Sequence, residues 1–177
     1  NPAELKHGFM VGQWAVMIAR NISGLPMRDL SKLALAGLLH DIGKLKLPDE
    51  IGIQKSDLLQ GDARVIYFNH ANLGKNLLSN FKFLEPEIFS MIEQHHEHLD
   101  GTGLPMGLSG QQIHPLSLVL ALANDCVDEL NLNGKLMSPE SLRRLGNIFT
   151  SLTSQFGEPA IQALLDLLRA EAKGAVA

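Results

Sequence analysis

Residues 29–44, DLSKLALAGLLHDIGK, combine an apolar helical pattern with a histidine–aspartate pair at its end. The abundant leucines and alanines follow the periodicity of a helix packed in a core. Gly43 ends the pattern, because glycine is poorly tolerated inside a helix. The stretch therefore predicts a buried helix over about Asp29 to Asp41, with His40 and Asp41 at its carboxyl end.

The same helical periodicity extends in both directions, without the alternation that is typical of a β-strand. Pro86 suits the first position of a helix, and residues 138–140 and 158–159 have the composition of helix starts. These patterns predict an all-α fold, a bundle of seven to eight helices in a single domain over residues 1–177. The other expected helices cover residues 3–20, 62–69, 71–80, 86–96 and 115–130, and begin at 138 and 158, with a connector at 45–56.

The composition restricts the class of function. The net charge is −4, with 15 basic and 19 acidic residues, and there is no basic cluster of the kind that binds duplex nucleic acid. No apolar run approaches the ~18 residues of a membrane span, and the start of the chain lacks the pattern of a signal peptide. Cys126 is the only cysteine, which excludes an internal disulfide and favours a cytoplasmic location.

Five of the seven histidines, together with two aspartates, form a candidate metal site. Each lies on or at the end of a predicted helix, and a helix bundle can direct such side chains at one point. Taken singly, a histidine such as His7 or His70 is more often an ordinary surface or core residue. The whole set exceeds the needs of one tetrahedral zinc and suits two bridged ions of Fe, Mn, Zn or Co. The candidate ligands are His7, His40, Asp41, His70, His95, His96 and Asp125, with Asp41 as the natural bridge.

Two segments resemble the HD-GYP family, a branch of the HD superfamily of metal-dependent phosphohydrolases. HDIGK at residues 40–44 is similar to the HD-x-GK signature, and HHEHLDGTGLP at residues 95–105 is similar to HHE-x-x-DG-x-GYP. His7, His70 and Asp125 match the remaining ligand positions in order and in approximate spacing. The resemblance covers nearly the whole chain, including a closing segment, QFGEP, at residues 155–159.

A glycine-rich stretch, DGTGLPMGLSG, occupies residues 100–110. A loop of this length without regular structure is uncommon in a compact domain and is usually functional. An ordinary Ω-loop is the alternative. The resemblance favours a loop near the active site, with Gly101, Gly103, Leu104 and Pro105 in the positions of the family's loop motif.

The resemblance implies a helical enzyme that hydrolyses cyclic di-GMP, or cyclic GMP-AMP in some members. The product would be linear pGpG, or GMP if the second bond is also cut. The seven candidate residues would hold two divalent transition-metal ions, with Fe or Mn favoured. Asp41 would bridge the ions, and Lys44 would be a second catalytic residue that faces the substrate phosphate. Glu97, Asp100 and Asp128 are expected to orient the ligands from behind the metal site.

The expected partners follow from the same resemblance: a cyclic dinucleotide as substrate, and a GGDEF-type or sensor domain as neighbour. The chain begins without methionine and enters a helical pattern almost at once. We therefore expect a domain from the C-terminal part of a longer sensor or response-regulator protein.

Four departures from the family pattern bear on these expectations. Leu104 stands where the motif has tyrosine, which removes a hydroxyl and an aromatic ring, and His98 is an additional histidine. Ala3 stands where three-metal members have glutamate, which favours two ions over three. The segment after Asp128 lacks the family's arginines, so Lys135 becomes the candidate phosphate contact there.

Two alternative functions stay open. A signalling module would keep the metal site, hydrolyse weakly, and bind a cyclic dinucleotide or a partner domain; the loss of the tyrosine and arginines favours it. A general HD nucleotidase that acts on mononucleotides is a weaker alternative. Analysis of the products formed from cyclic di-GMP, dGMP and GMP distinguishes the three.

Overall fold

The computed structural model describes residues 2–54, 56–133 and 138–174. Within these ranges the secondary structure is helical, apart from one isolated β-bridge between Asp100 and Ser109. The predicted all-α fold is therefore confirmed. The α-helices are α1 (Pro2–Ala19), α2 (Met27–Leu39), α3 (Asp49–Gly52), α4 (Gly61–Phe68), α5 (His70–Leu78), α6 (Pro86–Gln94), α7 (Pro115–Asn133), α8 (Pro139–Thr150), α9 (Thr153–Phe156) and α10 (Glu158–Gly174).

The helix boundaries in the structure differ from the predicted ones in the connector and at the end of α6. The connector expected at residues 45–56 contains α3 and parts of two short 3₁₀ helices, Ile42–Lys46 and Ser56–Leu58. Pro48 precedes α3 with extended backbone, because proline is accepted at a helix start but not in its interior. Helix α6 ends at Gln94, so His95 and His96 lie beyond its last turn rather than inside it.

Helix α7 lies at the centre of the hydrophobic core. Leu120, Leu122 and Val127 of this helix are fully buried, and the buried Cys126 packs among them as an ordinary core residue. Helices α1, α2 and α6 pack against α7, as do α8, α9 and α10. Each fully buried leucine contributes about 1.5–3 kcal/mol through removal of apolar surface from water. This packing brings α1, α2 and α6, three of the helices that carry candidate ligands, together around one apolar element, and α5 packs in turn against α6.

A buried lysine connects α2 to the start of α6. The Lys32 side chain is only 4% exposed, and its Nζ lies 2.9 Å from Glu85 Oε2 and 3.0 Å from Glu87 Oε1. A buried charge is tolerated only when such partners compensate for the hydration it has lost. The contact therefore fixes the relative position of two helices whose carboxyl ends both lead into candidate ligands.

None of the helices in the described part of the chain combines sufficient length with sufficient apolar character to cross a bilayer.

Candidate metal centre

Four helices bring six of the seven candidate ligands to one place. Helix α1 supplies one ligand, the end of α2 supplies two, the start of α5 supplies one, and the residues just after α6 supply two. Within each of two groups, ligand atoms from the three residues lie within 4.8 Å of one another. The first group is His7, His40 and Asp41, and the second group is His70, His95 and His96.

Asp41 lies between the two groups. Its Oδ1 is 3.1 Å from Nε2 of His70, whereas its Oδ2 is 3.3 Å from Nε2 of His40 and 3.8 Å from Nε2 of His7. A carboxylate whose two oxygens face different sets of imidazoles has the arrangement of a ligand that bridges two ions. The bridging role of Asp41 stays a prediction, and its two oxygens lie where that role would need them.

Three of the imidazoles are oriented by the ends of helices. The last carbonyl groups of a helix have no partner within the helix, so they can accept hydrogen bonds from side chains. Each of these three imidazoles places Nδ1 at 2.7 Å from the carbonyl oxygen three residues earlier. Because a carbonyl only accepts, Nδ1 carries the proton and Nε2 keeps its lone pair for the site. The pairs are His40 with Gly37, His70 with Tyr67, and His95 with Ile92.

Several acceptor atoms in the site face one another without a donor between them. Among the described residues, His40 Nε2, Asp41 Oδ1 and His96 Nε2 are buried and have no hydrogen-bond partner. The Nε2 atoms of His70 and His95, which both bear lone pairs, are only 3.2 Å apart. Buried polar atoms are normally paired, because an unpaired one costs about 1–3 kcal/mol. Divalent cations in the two groups would satisfy these atoms, so the residues present fit a metal centre.

The electrostatic environment favours the metal-binding forms of His95, His96 and Asp41, whereas, against the effect of burial, the charge of Asp41 raises the pKa of His40. Burial, reinforced by neighbouring imidazoles, holds the pKa of His95 and of His96 well below the ordinary value. Burial alone would raise the pKa of Asp41, but the charges of His40 and Lys44 hold it well below its usual range. Neutral imidazoles and an ionised carboxylate are the forms that coordinate a cation.

Gly43 allows the turn after Asp41 to lie directly against α5. A Cβ atom at this position would overlap the carbonyl oxygen of His70 and approach the amide nitrogen of Gly74 too closely. Only glycine therefore permits this approach. The close packing brings the carboxylate of Asp41 to the first residue of α5, where the next ligand lies.

His7 is held by a residue that the sequence patterns did not indicate. Its Nε2 lies 3.1 Å from the side-chain oxygen of Asn124 on α7, and its Nδ1 lies 3.7 Å from Asp128 Oδ1. Asn124 is 3% exposed. A polar residue inside the apolar stretch LVLALAND at 118–125 is the signal that would have pointed to it. The predicted position of Asp128 behind the site agrees with its contact to His7.

Asp125, the seventh candidate ligand, lies beside this group but outside both ligand sets. Its Oδ1 is 3.4 Å from Nδ2 of Asn124. Burial, and then the charge of Asp128, raises the pKa of Asp125 to about 7, against the effect of the Asn124 hydrogen bond. Its assignment as a ligand stays a prediction.

Lys44 lies beside the candidate ligands, and its contact with the substrate phosphate stays a prediction. Its Nζ lies 2.7 Å from Asp41 Oδ2 and 5.2 Å from the centre of the Tyr67 ring, an arrangement that combines an ion pair with a cation–π contact. Lys135, the other candidate phosphate contact, lies outside the described residues.

The carboxylates of Glu97 and Asp100 accept hydrogen bonds from the glycine-rich loop, and the role expected for these two residues in orienting imidazoles stays a prediction. The carboxylate of the fully buried Glu97 accepts hydrogen bonds from the amides of Met106 and Leu108, both at 2.7 Å. Asp100 accepts from the backbone and hydroxyl of Thr102. Backbone carbonyls orient three of the imidazoles, and the two acids stabilise the glycine-rich loop.

The loop motif lies directly beside the ligands. Gly101 has a φ of 79°, in the left-handed region that favours glycine, and a Cβ at Gly103 would overlap the backbone of Glu97 and His98. The Leu104–Pro105 peptide bond is cis. Leu104 packs against the cluster that contains Tyr67 and Phe68. Because of this packing, Leu104 extends an apolar surface where the motif tyrosine would have placed a hydroxyl.

Comparisons with known proteins agree with this geometry. The family described as "HD domain" matches residues 1–134. The chain is 32% identical over 118 residues to a cyclic di-GMP phosphodiesterase, PA4108, from Pseudomonas aeruginosa; the match covers 67% of this chain and 28% of that protein. It is 29% identical over 164 residues to a cyclic di-GMP phosphodiesterase from Thermotoga maritima, covering 92% of this chain and 44% of that protein.

A solved structure shares the fold. It is Bd1817, an HDG"Y"P protein from Bdellovibrio bacteriovorus, which has a TM-score of 0.74 and 23% sequence identity. The superposition covers 94% of this chain and 52% of that one. The chain spans less than half the length of the two curated relatives described above. The family match, the His40–Asp41 pair and the clustered imidazoles show that the chain belongs to the HD domain family, and to the HD-GYP type that its sequence resembles.

Proposed function

We propose that the domain is a metal-dependent phosphodiesterase that hydrolyses cyclic di-GMP to linear pGpG, and to GMP where the second ester is also cut. The observation that carries this proposal is the convergence of buried acceptor atoms on Asp41, whose two oxygens face different groups of histidines. The two relatives named for cyclic di-GMP hydrolysis support the choice of substrate. Two divalent ions, Fe or Mn, would be held by His7, His40, Asp41, His70, His95, His96 and Asp125.

The bound ions would supply acidified water and Lewis-acid stabilisation of the phosphate. The chain's own contribution is to hold the ligands in place before the ions arrive. Because His40, His70 and His95 each donate Nδ1–H to a helix-end carbonyl, their Nε2 lone pairs need no reorientation. Such preorganisation avoids a reorganisation cost at the moment of reaction.

Lys44 is the proposed contact for the substrate phosphate. Its side chain is 18% exposed, so the ammonium group borders the buried carboxylate of Asp41 on one side and reaches solvent on the other. Burial alone would lower the pKa of Lys44, but the charge of Asp41 raises it above the ordinary value. A permanent positive charge at this position would stabilise negative charge that develops on the phosphate oxygens. Lys135 is a second proposed contact.

The proposal also includes a neighbouring domain and a location in the cell. The Pseudomonas and Thermotoga relatives are more than twice as long as the segments they share with this chain. We propose a GGDEF-type or sensor domain as neighbour and a cytoplasmic location, where the single buried thiol of Cys126 would stay reduced.

The test is a product assay with defined metal content. The purified domain is demetallated, reloaded anaerobically with Fe²⁺ or Mn²⁺, and incubated with cyclic di-GMP, and the products are separated by chromatography. We expect pGpG from the loaded wild type and none from the demetallated protein or from Asp41→Ala. The matched control, Asp166→Ala, removes a half-exposed carboxylate of α10 and should leave the activity unchanged. Full activity after thorough demetallation would refute the proposal.

A signalling module with weak hydrolysis is the second candidate. The observation in its favour is that Leu104 contacts the Tyr67–Phe68 cluster and offers no hydroxyl to a substrate. Tight binding of cyclic di-GMP without product, measured by calorimetry on the same Mn²⁺-loaded protein, would support the module over the enzyme. Parallel incubations with dGMP and GMP test a general nucleotidase.

A further inference from the structure

The ligand histidines are not all oriented in the same way. His40, His70 and His95 each donate Nδ1–H to a backbone carbonyl, which leaves Nε2 as an acceptor directed at the centre. His7 has no such carbonyl among its described contacts. Its Nε2, the nitrogen nearest to Asp41, is instead in contact with the side-chain oxygen of Asn124 at 3.1 Å.

The orientation of the Asn124 amide follows from its other neighbours. Its Nδ2 lies 3.4 Å from Asp125 Oδ1 and 3.4 Å from Asp128 Oδ2. Carboxylate oxygens accept hydrogen bonds, so the NH₂ group must face them and the amide oxygen must face His7. Since that oxygen also only accepts, Nε2 of His7 must carry the proton.

His7 and the other three imidazoles therefore hold opposite tautomers. A metal ion binds only the nitrogen that bears a lone pair. An ion that uses His7 Nε2 must displace the Asn124 oxygen, and the proton must move from Nε2 to Nδ1. The number of protons on the ring is unchanged by this shift, and Nδ1 then lies 3.7 Å from the carboxylate of Asp128, which can accept it through a shortened or water-mediated bond.

We propose that Asn124 is a positioning residue that makes the two halves of the centre unequal, so that the ion held by His7, His40 and Asp41 binds second and more weakly. The half formed by His70, His95 and His96 fills first, because its lone pairs already face the site. This inference rests on the proposed metal centre, but it does not depend on the substrate. Asn124 thereby sets the metal concentration at which the centre becomes complete.

The first part of the test needs no variant. Nitrogen-15 NMR of histidine side chains in the demetallated domain reports which ring nitrogen carries the proton. We expect His7 in the Nε2–H form, and His40, His70 and His95 in the Nδ1–H form. A His7 ring protonated on Nδ1 like the other three would overturn the proposal.

The second part measures the two binding steps with Mn²⁺ alone. Calorimetric titration of the wild type should resolve two steps that differ at least about tenfold in dissociation constant. Asn124→Leu, which keeps the size of the side chain but removes the competing oxygen, should tighten the second step about fivefold and leave the first unchanged. Asn124→Ala serves as the second variant and should act in the same direction.

Ser117→Ala is the matched control, because Ser117 is also a fully buried polar residue of α7 but bonds to Gln94 rather than to His7. It should change neither step. Weaker binding of the second ion in Asn124→Leu would overturn the proposal, since Asn124 would then support the ion rather than compete with it. Both measurements are made without substrate, so a domain that loads in this order but leaves cyclic di-GMP intact would refute the proposed function alone.

Discussion

The metal-binding side of this domain and the glycine-rich loop, its proposed substrate-binding side, are specified by different kinds of contact. On the metal side, three imidazoles are fixed by carbonyls of their own helical turns, only three residues away in sequence. On the substrate side, the loop containing Leu104 is held by the buried carboxylate of Glu97, through amides nine and eleven residues later. The first kind of contact is local and persists as long as the helix ends are formed. The second depends on the path of a loop, which is freer to vary.

This difference predicts that substitutions on the metal side act on metal content and activity together. His40→Ala should lose both, because it removes a fully oriented Nε2 and leaves the carboxylate of Asp41 with fewer partners. Metal analysis by mass spectrometry and the cyclic di-GMP assay measure the two effects on one sample. The matched control, His98→Ala, removes a half-buried imidazole outside both ligand groups and should keep both. Normal metal content in His40→Ala would break the comparison.

Removal of a charged side chain that contacts the metal side but is not a candidate ligand should lower the activity without lowering the metal content. Lys44→Met is expected to retain its metal and to lower kcat about 10²–10³-fold, because the positive charge proposed to face the substrate phosphate is lost. Lys46→Met, an exposed lysine of the same 3₁₀ helix, is the control and should behave like the wild type. An equal loss of activity in the two variants would remove Lys44 from the catalytic residues.

On the substrate side, Glu97→Gln should reduce stability while the metal stays bound. The glutamine offers one oxygen and one NH₂ group to two amide donors, so one part-buried amide of the loop loses its acceptor. The expected decrease in the free energy of unfolding is about 1–3 kcal/mol, measured by urea titration. Hydrogen exchange at Met106 and Leu108 should accelerate. Glu93→Gln, which weakens an ion pair with Lys75, should cost less than about 1 kcal/mol.

The smallest effect is expected at Leu104. Leu104→Ala should bind the same amount of metal as the wild type and lose less than about 2 kcal/mol of stability, because the side chain is only partly buried in the Tyr67–Phe68 cluster. Leu104→Tyr sharpens the test, since it restores the hydroxyl of the family motif without touching a ligand. A loss of metal in either variant would show that the two sides are coupled.

The sequence indicated most of the residues that cluster on the metal side, because the motifs that contain them are short-range. His40 and Asp41 follow a strongly periodic helix, and His95 and His96 precede a glycine-rich loop, so helical periodicity and motif spacing were sufficient. The contribution of Asn124 could not be predicted in this way. Its contact with His7 joins residues 117 positions apart and depends on how α1 packs on α7.

The role of Glu97 was missed for a related reason. Its position next to His96 suggested an imidazole partner. The loop, however, folds back and presents two backbone amides, each of which donates to one oxygen of the Glu97 carboxylate. Buried amides need acceptors, and the nearest carboxylate satisfies them. The direction in which a loop folds back is not encoded in residue spacing.

The use of helix-end carbonyls to orient imidazoles makes helix length a functional parameter. Each residue of an α-helix turns the chain by about 100°, so inserting one residue in the last turn of α6 would rotate His95 away from the centre and pair its ring with a different carbonyl. A whole added turn would restore the direction but move the ring about 5.4 Å along the axis. Relatives that bind metal in this way should therefore differ freely in loop length but keep the register of each ligand to its helix end.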